Sequence, residues 1–313
     1  MLALTSPTGK LGSAVLNAIL DNNLIPPSNL VICTTTPLTS PTLAPLHALP
    51  LTLRHITYTS PSSLRTAYKG CTSLFLVSSP AIEQDYADAP PGHGREATHF
   101  AAIDAALAAG VSHIYYTSLA FRGAPSKAGV MRAHARTEAY LGALAEAGKV
   151  RVTVLREGLY SESWPLYFGY FFGLRGDARS EVVVGGDGAV SWTSIADMAF
   201  ATAVILSQDR AKWAGRTVYL SQKATRTLGE IAGTVSRVLG REVRIKVVGR
   251  EAYETYYVEE SGRERLSVEW WSSTYEALEE GECAIEDSTL ENILGEVGRV
   301  PKGVDETIRE MLE

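Results

Sequence analysis

Leu2-Ala3-Leu4-Thr5-Ser6-Pro7-Thr8-Gly9-Lys10-Leu11-Gly12 decides the fold: a short apolar run, a tight loop with two glycines, then a helix start. The helix continues through Leu11, Val15, Leu16, Ile19 and Leu20, the spacing of one apolar face, and Asn22-Asn23 end it. A helix start offers unpaired backbone N–H groups and a partial positive charge, which together hold a pyrophosphate. Gly9 and Gly12 stand at the second and third glycine positions of a G-x-x-G-x-x-G loop, with Ser6 at the first and Pro7 after it. Ser6 takes a positive φ only at a cost, and Pro7 has no N–H to offer. Thr5, Ser6, Thr8, Gly9, Lys10, Leu11 and Gly12 are therefore the expected cofactor contacts of a dinucleotide loop.

The rest of the first half repeats the pattern. A continuously apolar strand is expected at Leu30–Thr34, a helix at 61–69, a strand at 72–78 and a helix at 96–110 closed by Gly110. Then follow a strand at 111–118, a long helix at 128–148 and a strand at 150–155. Strand and helix alternating in this way mean right-handed crossovers and an α/β fold, a Rossmann-type doubly wound parallel sheet. Residues 37–50 carry four prolines, so the second crossover is at best a short, broken helix.

After Arg156 the texture changes. Residues 164–174 (WPLYFGYFFGL) are dense in aromatics, 191–207 read as a strand end and helix, and Arg216–Leu220 as a late strand. From Thr227 the chain reads as mostly helical, with a strand at 243–248 and helices at 251–260, 267–280, 288–294 and Val304–Leu312. The expected division is a dinucleotide-binding domain over 1–156, with 188–222 returning to its sheet. Residues 157–187 and 223–313 would form a smaller, mostly helical C-terminal substrate region.

Composition excludes several classes. The formal net charge is −6 and no basic cluster is interleaved with aromatics, which argues against a nucleic-acid partner. No stretch approaches the ~20 apolar residues of a membrane span. The N-terminal apolar run has neither a basic flank nor a small-residue cleavage site, so it reads as a strand and the expected location is cytoplasmic. Cys33, Cys71 and Cys283 are isolated and lack a C-x-x-C spacing, so neither a disulfide framework nor a metal site is expected.

The end of the second strand reads Cys33-Thr34-Thr35-Thr36-Pro37. It has no acid to hold a ribose 2′-hydroxyl and no arginine for a 2′-phosphate. Thr34 and Thr35 could hydrogen-bond a phosphate and Lys10 could supply charge, which favours NADP and leaves NAD open; otherwise the threonines simply favour a strand end. Ser78-Ser79-Pro80 and Tyr116-Thr117-Ser118 fall where a doubly wound sheet places its ligands, or else cap turns. His134 and Glu138, four apart on the long helix, share a face. His134 could bond a ribose or shuttle a proton, or the two could simply pair. The Tyr-x-x-x-Lys spacing occurs at Tyr219 and Lys223 on a strand end, where the side chains do not stack, so catalysis by that pair is not expected.

The order of motifs resembles the NmrA-like branch of the atypical short-chain dehydrogenases/reductases, which includes type-2 quinone oxidoreductases. The resemblance rests on 5–12, on Leu74-Phe75-Leu76-Val77-Ser78-Ser79-Pro80, on 105–118, on 134–141, on Leu155-Arg156-Glu157-Gly158-Leu159-Tyr160-Ser161-Glu162 and on 191–199. It implies a Rossmann domain binding NADP(H) and a small C-terminal domain closing over the nicotinamide. It also places His134 near the nicotinamide ribose, Tyr160 in the turn after the sixth strand, and 164–172 along a pocket for a flat, apolar substrate; plain core packing is the other reading of those aromatics. Ser6, Pro7 and the missing arginine depart from the pattern. The expected function is an NADP(H)-dependent oxidoreductase reducing a quinone, enone or carbonyl, with Ser118, His134 and Tyr160 as catalytic polar contacts. The alternatives are a redox sensor that acts through a protein partner without turnover, and a pathway enzyme using the pocket for isomerisation or cyclisation. The expected partner is a small apolar or aromatic substrate, with a homodimer left open.

Overall fold

The computed structural model describes residues 1–313 apart from Ala124. In chain order the elements are β1 (Leu2–Thr5), α1 (Lys10–Asp21), β2 (Leu30–Thr34), α2 (Ala44–His47), β3 (Thr52–His55), α3 (Pro61–Tyr68), β4 (Ser73–Leu76), α4 (Glu96–Ala108), β5 (His113–Leu119), α5 (Val130–Glu146) and β6 (Arg151–Glu157). They continue as α6 (Trp164–Tyr167), β7 (Glu181–Val184), α7 (Ile195–Ser207), α8 (Arg210–Trp213), β8 (Arg216–Leu220), α9 (Leu228–Leu239), β9 (Arg244–Val247), α10 (Arg250–Thr255), α11 (Arg265–Glu279), α12 (Thr289–Gly295) and α13 (Val304–Leu312).

Seven parallel strands form one sheet in the order β3-β2-β1-β4-β5-β6-β8, and β7 pairs with β9 in a separate parallel pair. The order reverses between β1 and β4, and a crevice opens there at the carboxyl ends of the strands. Alternate residues of each strand point to opposite layers. Leu4, Ile32, Phe75, Tyr115 and Leu155 pack on Val15 and Ile19 of α1 and on Met198 and Ala201 of α7. Ala3, Val31, Leu74, Ile114, Tyr116 and Val154 pack on Leu64 of α3, Ile103 and Ala106 of α4, and Leu141 of α5. Gly110, at φ +87°, ends α4 in the left-handed conformation expected there. The proline-rich crossover is reduced to a short 3-10 turn at Pro41–Leu43 and the four-residue α2.

A third core holds the C-terminal elements together, and it corrects one expectation. Trp164, Phe168 and Phe172 are completely buried; Phe168 packs edge-on against the other two, and all three join Trp192, Tyr253 and Tyr275 in one cluster. Each such ring contributes on the order of 2–3 kcal/mol by leaving water. The aromatic run is therefore core and does not line a substrate pocket; only Phe171 and Leu166 stay exposed. Among the described residues no helix is long and apolar enough to cross a membrane.

Candidate functional site

A cavity of about 410 Å³ opens over the carboxyl ends of β1, β4, β5 and β6. Ser6, Gly9, Lys10, Leu11, Gly12, Ser78, Ser79, Pro80, Ser118, His134 and Tyr160 all line it, so the structure brings together most of the residues marked in the sequence. Val77, Arg95, Thr117, Leu119, Val130 and Glu157 complete the wall, and no residue after Tyr160 contributes. Of the expected C-terminal unit, Glu157 and Tyr160 reach this wall. A larger groove of about 760 Å³ lies between α3 and α4, but it shares no lining residue with this cavity and no buried unpartnered polar atom lines it among the described residues.

At the α1 end of the cavity, Ser6 adopts φ +56°, the left-handed value that a glycine would have adopted freely. Its carbonyl accepts from the Gly9 N–H at 3.0 Å, which closes the turn. Gly9 caps α1 without a side-chain hydrogen bond, leaving the N–H groups of Lys10, Leu11 and Gly12 without an intrahelical acceptor. A Cβ at Gly12 would lie 2.1 Å from the Ser6 carbonyl oxygen, so helix and loop pack here as only glycine allows. The first turn of α1 holds no acid and carries Lys10, an arrangement that disfavours the helix until an anion binds.

Four marked residues lie outside the cavity wall. Thr5, expected as a cofactor contact, is buried; its hydroxyl donates to the Phe75 carbonyl and accepts from the Val77 N–H, pinning β1 to β4. Thr34 is buried with its hydroxyl accepting from the Thr36 N–H. Thr35 is exposed, its carbonyl 3.2 Å from Nε2 of His55, and exposed Thr8 meets Thr36 hydroxyl to hydroxyl at 3.3 Å. Arg54 is spent on the carbonyls of Ala67 and Lys69.

The opposite end rests on a buried network that sequence spacing does not reveal. The Ser79 N–H donates to Nε2 of His99 at 2.8 Å, so Nδ1 of that ring carries the proton. Nδ1–H donates to the Thr137 hydroxyl, which passes its own hydrogen to the Ala133 carbonyl. The same Nδ1 lies 3.3 Å from the Tyr116 hydroxyl oxygen, which accepts there, so the Tyr116 O–H donates to Nδ1 of His134 at 3.0 Å and leaves Nε2–H of His134 as a donor. Burial, with the Arg95 charge nearby, depresses His99 to about 3 and drives His134 well below the usual imidazole range. His134 does not pair with Glu138, which instead takes both arms of Arg156, at 3.1 and 2.7 Å. Tyr219 and Lys223 are likewise separate: Tyr219 accepts from Arg156 and Lys223 donates to Ser288.

Arg95, buried at the cavity edge, bonds both Asp85 oxygens and donates to the carbonyls of Ser79 and Val130. The Ser78 N–H donates to Thr117, so the 78–80 loop is fixed before any ligand arrives. Ser118 is buried with an unpartnered hydroxyl. Tyr160 lines the cavity beside the apolar layer of α1 and α7, and burial raises its phenol above the ordinary range. Glu157, which closes β6, was not among the marked site residues. One carboxyl oxygen accepts from Thr202 at 3.0 Å, the other has no partner, and burial raises the group to about 8. Its sequence signal was the single acid of β6, at the end of the strand directly after Arg156.

The neutral histidines give a test. Their folded values lie below the unfolded one, so below about pH 6.5 only the unfolded chain takes up the protons and each ring costs up to about 1.4 kcal/mol of stability per pH unit. Glu157, raised, acts in the opposite sense, so the rings are best read individually. The imidazole nitrogen signals of His99 and His134 should stay neutral from about pH 8 to pH 5. A titration of either ring near pH 6 would contradict the network.

No family model matches the chain. It is 31% identical over 249 residues to quinone oxidoreductase 2 of Escherichia coli, covering 78% of this chain and 76% of that protein. It is 26% identical over 313 residues to the NmrA-like family domain-containing oxidoreductase flvB of Aspergillus flavus, covering 99% and 94% of the two chains. In structure it is similar to the NADPH-dependent quinone oxidoreductase of E. coli solved with NADPH, at TM-score 0.80 and 24% identity over the whole of both chains.

Proposed function

Because this chain belongs to the NmrA-like family of atypical short-chain dehydrogenases/reductases, the one that contains quinone oxidoreductase 2, we propose that it is an NADP(H)-dependent oxidoreductase. Its proposed substrate is a quinone, an enone or a carbonyl compound. The observation that carries this reading is the cavity itself, which runs from the free N–H groups of α1 to the polar atoms of Ser118, His134 and Tyr160. A dinucleotide fits those residues: anion donors and Lys10 at one end, the close approach allowed by Gly12, and unpartnered polar atoms at the other.

The bound dinucleotide would supply hydride chemistry. Lys10, Leu11 and Gly12 bind the pyrophosphate through their N–H groups. Thr35, Thr8 and Lys10 would hold the adenosine end, with buried Thr34 fixing the turn at Thr36; the triplet of threonines beside His55 and the absence of an acid in Cys33–Pro37 favour NADP over NAD. His134 donates from Nε2 to a ribose hydroxyl. Ser118 and Tyr160 hydrogen-bond the substrate oxygen, while Leu11, Val77, Leu119 and Val130 keep that end apolar and exclude water. A quinone needs little help from a general acid, which suits an α5 without the Tyr-x-x-x-Lys pair. Residues 1–156 with 188–222 are taken as the dinucleotide-binding unit, and 157–187 with 223–313 as the unit on the substrate side.

Thermal-shift titration with NADP(H) and NAD(H), followed by NADPH oxidation with a panel of quinones, tests the proposal. NADP(H) should stabilise more than NAD(H), and quinones should be turned over. Stabilisation without turnover on any acceptor would favour a regulator; no stabilisation by either cofactor would overturn the dinucleotide reading.

A further inference from the structure

Among the described residues, Glu157 is the one carboxyl in the cavity wall. It shares a sheet face with Leu155, whereas Ser118 shares the other with Tyr116, so the two groups reach the cavity from opposite sides of the sheet edge. Thr202 of α7 donates to one oxygen; the other is buried and unpartnered, and no cation pairs with the group among the described residues. The titratable group beside it is Tyr160, with Glu162 beyond, and α7 adds Asp197, which is bonded to Ser194 and to the Lys302 N–H. Lys10, Arg95 and His134 line the same cavity, but Arg95 is committed to Asp85 and His134 is neutral. The Arg156 guanidinium is turned to Glu138.

We propose that Glu157 is a proton reservoir tied to the redox state of the dinucleotide: its carboxyl keeps a proton beside the neutral reduced ring and loses it beside the cationic oxidised ring. This rests on the functional reading above. In the reduction of a quinone or carbonyl, hydride transfer carries two electrons and one hydrogen to the substrate and leaves an anionic substrate oxygen. The Glu157 O–H bond breaks, its proton goes to that oxygen, and the electron pair stays on the carboxylate. The new negative charge on Glu157 balances the positive charge left on the nicotinamide, so the buried site keeps its net charge. Glu157 regains a proton from water when the oxidised dinucleotide leaves. With a resting value of about 8, the carboxyl holds this proton at neutral pH.

Calorimetric titration of the purified protein with NADP⁺ and with NADPH, in buffers of different ionisation enthalpy, reads the proton directly. The two dinucleotides carry the same phosphates, so phosphate ionisation cancels in the difference. Near neutral pH, NADP⁺ should release about one proton more than NADPH, and its affinity should rise up to about tenfold per pH unit, levelling above about pH 8. Glu157→Gln should bind both dinucleotides without the extra release. Thr202→Val removes a bond that favours the carboxylate, so the pH midpoint should move upward. NADP⁺ binding without proton release, release unchanged in Glu157→Gln, or an unmoved midpoint in Thr202→Val would each overturn the inference while leaving the functional reading intact. If neither dinucleotide binds the unaltered protein, the functional reading fails and takes the inference with it.

Discussion

Gly12→Ala is expected to weaken dinucleotide binding by about 100-fold or more, equivalent to roughly 3 kcal/mol. The added Cβ would stand 2.1 Å from the Ser6 carbonyl oxygen, 2.8 Å from its carbon and 3.1 Å from the Thr5 carbonyl oxygen. All three are backbone atoms, so no side chain can swing aside. Either the loop or α1 must move, and α1 carries the free N–H groups proposed to bind the phosphates. Ser6, already at φ +56°, has little freedom left to absorb the shift. Gly9→Ala is the matched control: its Cβ would meet the Ser6 oxygen at 3.5 Å, an ordinary contact, and should cost less than about tenfold. Titration of both variants with NADPH, beside their thermal unfolding, checks this. Equal binding by Gly12→Ala and the unaltered chain would show that the phosphates do not sit at this helix start.

Asp85→Ala is expected to destabilise the fold by about 3–5 kcal/mol, because it strands a buried guanidinium. Arg95 is 3% exposed and its ion pair with Asp85 spans 2.6 Å. Its remaining N–H groups hold the carbonyls of Ser79 and Val130, so the same variant should loosen the loop that forms the cavity floor. Denaturant unfolding measures the loss. Asp88→Ala provides the contrast: its pair with Arg132 is as short, but the Asp88 side chain is 90% exposed, and its removal should cost no more than about 1 kcal/mol. A loss at Asp85 as small as that at Asp88 would mean that Arg95 finds water or another partner.

Much of the sheet is legible in the sequence because burial on both faces leaves continuous apolar runs. Leu30–Thr34 is the clearest case: all five residues are buried, and the apolar run has the bounds of the strand. Edge elements lack that signature. β3, Thr52–His55, is only partly buried, and β7 is a four-residue strand paired away from the main sheet. The aromatic run at 164–172 shows the limit of composition: rings that fill a core and rings that line a pocket have the same letters, and only their neighbours tell them apart.

The site divides the same way. By itself the sequence determined the glycine loop after the first strand, the helix that follows it, the doubly wound order of elements and the family, because those depend on local backbone conformation and on the period of apolar residues. Tertiary structure alone decided that Ser6 sits at positive φ, that Thr5 faces β4, and that His134 answers to Tyr116 and not to Glu138. It also decided that Glu157 is buried with a free oxygen at the cavity. Hydrogen-bond partners and desolvation are set by residues far apart in the chain: Glu157 and Thr202 are 45 positions apart, and Arg95 and Val130 are 35. No local pattern encodes such pairs, and the charge state of a buried group follows from them.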